Sequence, residues 1–172
     1  MAVLLVGSNP GLALHDGDGP PVAFVSVWRV DWSVRGAGTA LVLSHSGRVR
    51  VVTPVPELGR WLADAFNRHF PEVAGLPWSE PAVTAAPVRL DLDPATGLTA
   101  TAADVTVEIS GPMDRRRVDV AAFPGNGLRL STVYTPCAEG RLTIAGRRVD
   151  GAPRVTGASS TAFLADAEVW SD

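Results

Sequence analysis

The chain has 172 residues, 46% of them hydrophobic, and a net charge of -3; this is the size of one domain, with enough apolar side chain for a continuous core that needs no disulfide or metal staple. All 15 basic residues are arginine and there is no lysine or glutamine, which removes Schiff-base and lysine-base chemistry and matches the composition of a GC-rich bacterial genome. A pI near 5.6 argues against a nucleic-acid partner, because phosphate affinity rests on many cationic contacts.

The opening Met1-Ala-Val-Leu-Leu-Val-Gly7 is apolar but short and lacks a basic leader, so it reads as a first strand and neither as a signal peptide nor as a membrane span. A single cytoplasmic domain, 1–172, with no membrane partner is the expectation. Gly11 to Pro21, with Asp16-Gly-Asp-Gly-Pro-Pro21, is dense in turn formers and reads as a separator. The clearest two-residue alternation follows in Val27-Trp-Arg-Val-Asp-Trp-Ser-Val-Arg35. It places Trp28, Val30, Trp32 and Val34 on one strand face and Arg29, Asp31, Ser33 and Arg35 on the other. Turns at Gly36-Ala-Gly38 and Ser46-Gly47 then predict a three-stranded meander through Thr39 to Ser44 and Arg48 to Val52.

Thr53-Pro-Val-Pro-Glu57 is a helix start, since Thr caps, Pro suits the first turn and Glu complements the dipole. Leu58, Trp61, Leu62, Ala65, Phe66 and Phe70 recur at three- and four-residue steps, which predicts one amphipathic helix over about 54–70, stopped by Pro71. Pro71 to Pro87 reads as a long connection, of the kind that often covers something. Short strands resume at Val88 to Leu92, Leu98 to Ala102, Val105 to Ser110, Arg117 to Ala122, Leu128 to Tyr134, Arg141 to Ile144 and Phe163 to Trp170. Intervening turns include Asp93 to Gly97 and Pro124-Gly-Asn-Gly127. Many short strands with one helix predict a mainly β fold, an antiparallel barrel or half-barrel.

No strong catalytic signature stands out. Arg89, Asp91 and Asp93 share a strand face opposite Val88, Leu90 and Leu92. Turned inward they would anchor a substrate or share acid and base work; turned outward they are ordinary solvated surface. Cys137 is the lone cysteine, so it closes no internal disulfide, and the three scattered His offer it no partner in sequence and no zinc spacing. No metal and no cofactor is expected. Five tryptophans supply the strongest hint, because indole rings suit both a core and the lining of a pocket for a hydrophobic ligand.

The last third, Thr132-Val-Tyr-Thr-Pro-Cys-Ala-Glu-Gly-Arg-Leu-Thr-Ile-Ala-Gly-Arg-Arg-Val149 and Ala162-Phe-Leu-Ala-Asp-Ala-Glu-Val-Trp170, resembles the lipocalin-like proteins grouped with carotenoid hydratases and the AttH type. The similar pieces are the Tyr-Thr strand end, a Gly-x-Leu-x-x-x-Gly hairpin and a final strand similar to an Asp-His-Glu-Trp pattern, with Ala167 here in the histidine place. The resemblance implies a β-barrel and a taste for apolar small molecules of isoprenoid or polyketide kind. The expected function is therefore binding of such a molecule in a barrel cavity lined by Trp28, Trp32, Trp61 and Tyr134, with Arg89 or Asp91 as polar anchors. Two alternatives stand beside it. One is an isomerase or cyclase using Asp91, Asp93 or Asp166; the other is a non-catalytic interaction protein that forms a homodimer through a sheet edge or the helix.

Overall fold

The computed structural model describes residues 1–120 and 127–171. The expected turn at Pro124 to Asn126 and the strand end at Ala121 and Ala122 lie outside them. In chain order the elements are β1 (Ala2–Ser8), β2 (Gly11–Leu14), β3 (Ala23–Ser33), β4 (Gly38–His45), β5 (Arg48–Thr53), helix α1 (Pro56–Ala65) and two 3-10 turns (Asn67–His69 and Pro71–Val73). There follow β6 (Ala82–Ala85), β7 (Val88–Asp93), β8 (Gly97–Ala102), β9 (Val105–Pro112), β10 (Arg116–Val120), β11 (Arg129–Ile144), β12 (Arg147–Arg148), β13 (Val155–Thr156), β14 (Ser159–Ser160) and β15 (Ala162–Ser171). The fold is mainly β with one α-helix.

Thirteen strands join one sheet whose main path is β6-β5-β4-β3-β1-β15-β11-β9-β8-β7. Every ladder is antiparallel except β5 with β6, which is parallel because the helix and its turns carry the chain back to the same edge. Among the described residues no ladder joins the end strands β6 and β7. The sheet turns back on itself at β11, 16 residues long. Its first half, Arg129 to Pro136, pairs with β15, and its second half, from Cys137, pairs with β9. Pro136, which has no N–H to donate, stands where the strand passes from one layer to the other.

This folding gives the first half of the sheet two buried faces. In β3, Ala23, Val25 and Val27 point at the second half of the sheet and join Leu12, Leu41, Leu98, Val107 and Leu142 in one core. Phe24, Trp28 and Val30 point the other way, into a second core under α1 with Val42, Val51, Leu58, Leu62 and Phe66. The continuous burial from Ala23 to Trp28 is the mark of a strand covered on both sides. Gly59 lets the helix lie close, since a Cβ there would stand 2.6 Å from the Thr53 methyl and 2.8 Å from Val51. The volume between the two halves of the sheet, where a barrel would hold its ligand, is filled by these apolar side chains.

Four local expectations need correction. The helix over about 54–70 ends at Ala65; Phe66, Asn67 and Phe70 continue inward on 3-10 turns, keeping apolar residues on the core side without a regular helix. Thr53 does not cap it, because its hydroxyl donates to the Thr39 carbonyl at 2.7 Å as the last residue of β5. Gly11 to Leu14 is not part of a separator but a fully buried strand between β3 and β15; its three apolar residues outweigh the turn formers that follow.

The face shared by Trp28 and Trp32 is the fourth. Gly7 pairs with Val30 but its neighbour Val6 pairs with Trp32, so Asp31 is an extra residue that bulges out of β3. One extra residue moves every later side chain to the opposite face. Trp28 and Val30 are consequently buried under the helix, while Trp32 and Val34 are 51% and 53% exposed. Gly7 sits against this bulge, where a Cβ would come within 2.1 Å of the Arg29 carbonyl oxygen.

Candidate functional site

The helix and its turns cover the face of β3, β4 and β5 but leave the same face of β11 and β15 partly open. There β15 presents Ala165 and Ala167 at alternate positions, and their short side chains leave a cleft of about 240 Å³. Trp28, Phe70 and Pro71 form one wall, Tyr134 and Phe163 another, and Leu130, Ala167 and Val169 part of the floor. The aromatic walls are fixed by packing. The Trp28 ring lies 5.8 Å from Phe66 and 6.3 Å from Phe70, centroid to centroid, and Tyr134 lies 5.6 Å from Phe163.

Most polar groups of this lining are already engaged. Trp28 Nε1 donates to Asn67 Oδ1 at 2.9 Å. The Tyr134 hydroxyl donates to the Ser160 carbonyl at 2.7 Å and accepts from the Ser160 N–H at 3.0 Å. Asn9 donates through Nδ2 to Ser26 Oγ and to the Val27 carbonyl, and Ser160 Oγ accepts from the Ala162 N–H at 3.0 Å. Two groups differ. Thr132 Oγ1 is buried and has no hydrogen-bond partner. The Glu72 carboxyl, set among apolar residues by the turn after α1, is pushed by burial above the usual carboxylate range.

Of the six residues expected to line a pocket, the structure brings together Trp28 and Tyr134. Trp61 lies on the helix with its ring against Phe66, 5.0 Å away, and Trp32 is on the exposed strip with Val6 and Val34. Arg89 and Asp91 are on the outer face of β7, opposite the buried core. Asp91, with Asp93, Glu108, Glu139, Arg141 and Arg148, walls a wide, polar, open groove of about 680 Å³. Asp91, Asp93 and Asp166 are all exposed; Asp166 accepts from Ser8 Oγ at 2.9 Å and stands 3.6 Å from Arg115. Among the described residues no group of three or more His, Cys, Asp or Glu is placed to hold a metal, and no helix is long and apolar enough to cross a membrane.

Cys137 is wholly buried at the layer crossing, and desolvation pushes its thiol up to about 11, the state of an inert packing residue. Sequence reasoning gives Glu72, Thr132, Ala165 and Ala167 no part in lining a site. A signal for the first was present: Phe70-Pro-Glu-Val73 puts one carboxylate inside an apolar run. For Thr132 the signal was its alternation with Leu130 and Tyr134 on one strand face. The alanines carried none, because a small residue marks a cleft only once its neighbours are known. No protein-family model, curated protein or solved structure matches this chain.

Proposed function

We propose that this protein binds a compact hydrophobic small molecule, of isoprenoid or polyketide kind, in the cleft between Trp28, Phe70 and the open face of β11 and β15. The observation that carries the proposal is the pairing of fixed aromatic walls with a floor of small residues at Ala165 and Ala167, the usual build of an apolar ligand site. Its volume of about 240 Å³ lies just under the roughly 300–1,000 Å³ of pockets for larger ligands, so the occupant is about the size of one or two fused rings. The same proposal takes the folded sheet as an open half-barrel of lipocalin-like type. It relocates the ligand, since the space between the layers is filled by side chains. Tyr134 and the final strand, which carry the resemblance to the carotenoid hydratase and AttH group, are also the pieces that meet at the cleft.

The test is titration of intrinsic tryptophan fluorescence with cyclic monoterpenes and naphthalene derivatives, beside the variant Ala167→Phe, which fills the floor. Saturable quenching that the variant abolishes supports the proposal. No quenching by any probe, or quenching that Ala167→Phe leaves unchanged, refutes it.

A further inference from the structure

The cleft is apolar but not uniformly so, and two polar groups in its lining, the Thr132 hydroxyl and the Glu72 carboxyl, restrict what it accepts. A buried hydroxyl without a partner costs about 1–3 kcal/mol, and native structures rarely leave one without a reason. Thr132 Oγ1 is such a group, and it is in the lining. The Trp28, Tyr134 and Asn9 donors spend their hydrogens on the protein, and the Ser160 hydroxyl is held as an acceptor by the Ala162 N–H. Among the described residues the lining holds neither arginine nor histidine, so none of them would pair as a cation with an anionic ligand.

Resting on the function proposed above, we infer that the cleft selects apolar molecules carrying one neutral oxygen, a ketone or an alcohol, received by the Thr132 hydroxyl and the Glu72 carboxyl. A hydroxyl both donates and accepts, so Thr132 suits either function. Glu72 adds a donor when it carries its proton, a state its apolar surroundings favour. A carboxylate ligand would instead lose its hydration without gaining a cation. The titratable side chains facing Glu72 from the rest of the lining reduce to Tyr134 on β11; β3 and β15 contribute none. The guanidinium of Arg116 on β10 lies 4.9 Å from the Tyr134 ring centre, outside the lining, with one N–H of each terminal nitrogen donated to the Ala158 carbonyl and Ser159 Oγ.

Three matched probes test this by calorimetry on the full chain from pH 4 to pH 8.5, a span that starts below the ordinary carboxylate value: limonene, a hydrocarbon; carvone, the related ketone; and perillic acid, the related carboxylate. Carvone is expected to bind about three- to tenfold tighter than limonene, the contribution of one net hydrogen bond, and ionised perillic acid weakest. Thr132→Val should weaken carvone toward the limonene level without changing limonene, leaving only the share that Glu72 supplies. As pH rises and Glu72 loses its proton, the carvone preference should shrink, and Glu72→Gln, which keeps a neutral donor, should hold it constant. Equal binding of carvone and limonene, or a preference that survives Thr132→Val and shows no pH dependence, overturns the inference and leaves the apolar cleft standing. Failure of both neutral probes to bind overturns the cleft itself.

Discussion

The junction of Trp28 with Asn67 should hold the helix turns onto the sheet. Trp28 is 2% exposed, packed on Phe66 and Phe70, and its Nε1 donates to Asn67 Oδ1 at 2.9 Å. Asn67 is wholly buried and its Nδ2 has no partner, so the indole is what compensates its carboxamide. Trp28→Phe removes part of the ring, worth about 1–2 kcal/mol of burial and packing, and orphans Asn67 Oδ1 at about 1–3 kcal/mol. The combined loss is about 3 kcal/mol, or about 6–12 °C in Tm for a chain of this size. Asn67→Leu alone orphans the indole N–H while removing the unpartnered amide. Once Trp28 is Phe, the same change removes only uncompensated polar groups, so the double variant should be less unstable than the two losses added, by about 1–2 kcal/mol. Urea unfolding of the four proteins measures this cycle. A Trp28→Phe loss under about 1 kcal/mol, or losses that add within about 0.5 kcal/mol, would refute the reasoning.

Gly7→Ala should cost about 3 kcal/mol by thermal unfolding, since its methyl would meet the Arg29 carbonyl oxygen at 2.1 Å. Gly47→Ala, at φ +73° with open space around it, should cost only about 1 kcal/mol of backbone strain; equal losses would show that the bulge is not tight. The Arg50 guanidinium holds the Asp104 carboxyl below its usual range through a 2.5 Å contact. A depressed folded value means stabilisation that is present at neutral pH and lost as pH falls through that value. Arg50→Ala should therefore lower stability at pH 7 by no more than about 1 kcal/mol, because the pair is exposed, and the gap to the parent should narrow as pH falls below the ordinary carboxylate range. A gap that grows on acidification would contradict this.

Much of the architecture was legible in the sequence because it rests on short-range chemistry. The meander of β3, β4 and β5 and the ladders of β7, β8 and β9 lie where alternation and turn residues place them. The Ser46-Gly47 turn shows why: both residues take positive φ, 52° and 73°, as a tight hairpin requires. The parallel strand β6 was not legible, since Ala82 to Ala85 sits in a proline-rich connection and owes its strand form to the free edge of β5. Nor was the bulge at Asp31, because an extra residue in one strand is defined only against its partner.

The candidate site divides in the same way. The sequence by itself determined a mainly β chain with a short amphipathic helix, and it marked Trp28 and Tyr134 as groups suited to an apolar ligand, because side-chain type and local periodicity are properties of neighbours along the chain. Tertiary structure decided which of two apolar faces holds a space. Folding the sheet at Pro136 packs one face with branched side chains, turning Arg89, Asp91 and Asp93 to solvent. The helix turns stop short on the other face, where Ala165, Ala167, Thr132 and Glu72 meet across residues far apart in the chain. A cleft is the volume that side chains from distant segments fail to fill, and no local pattern encodes it.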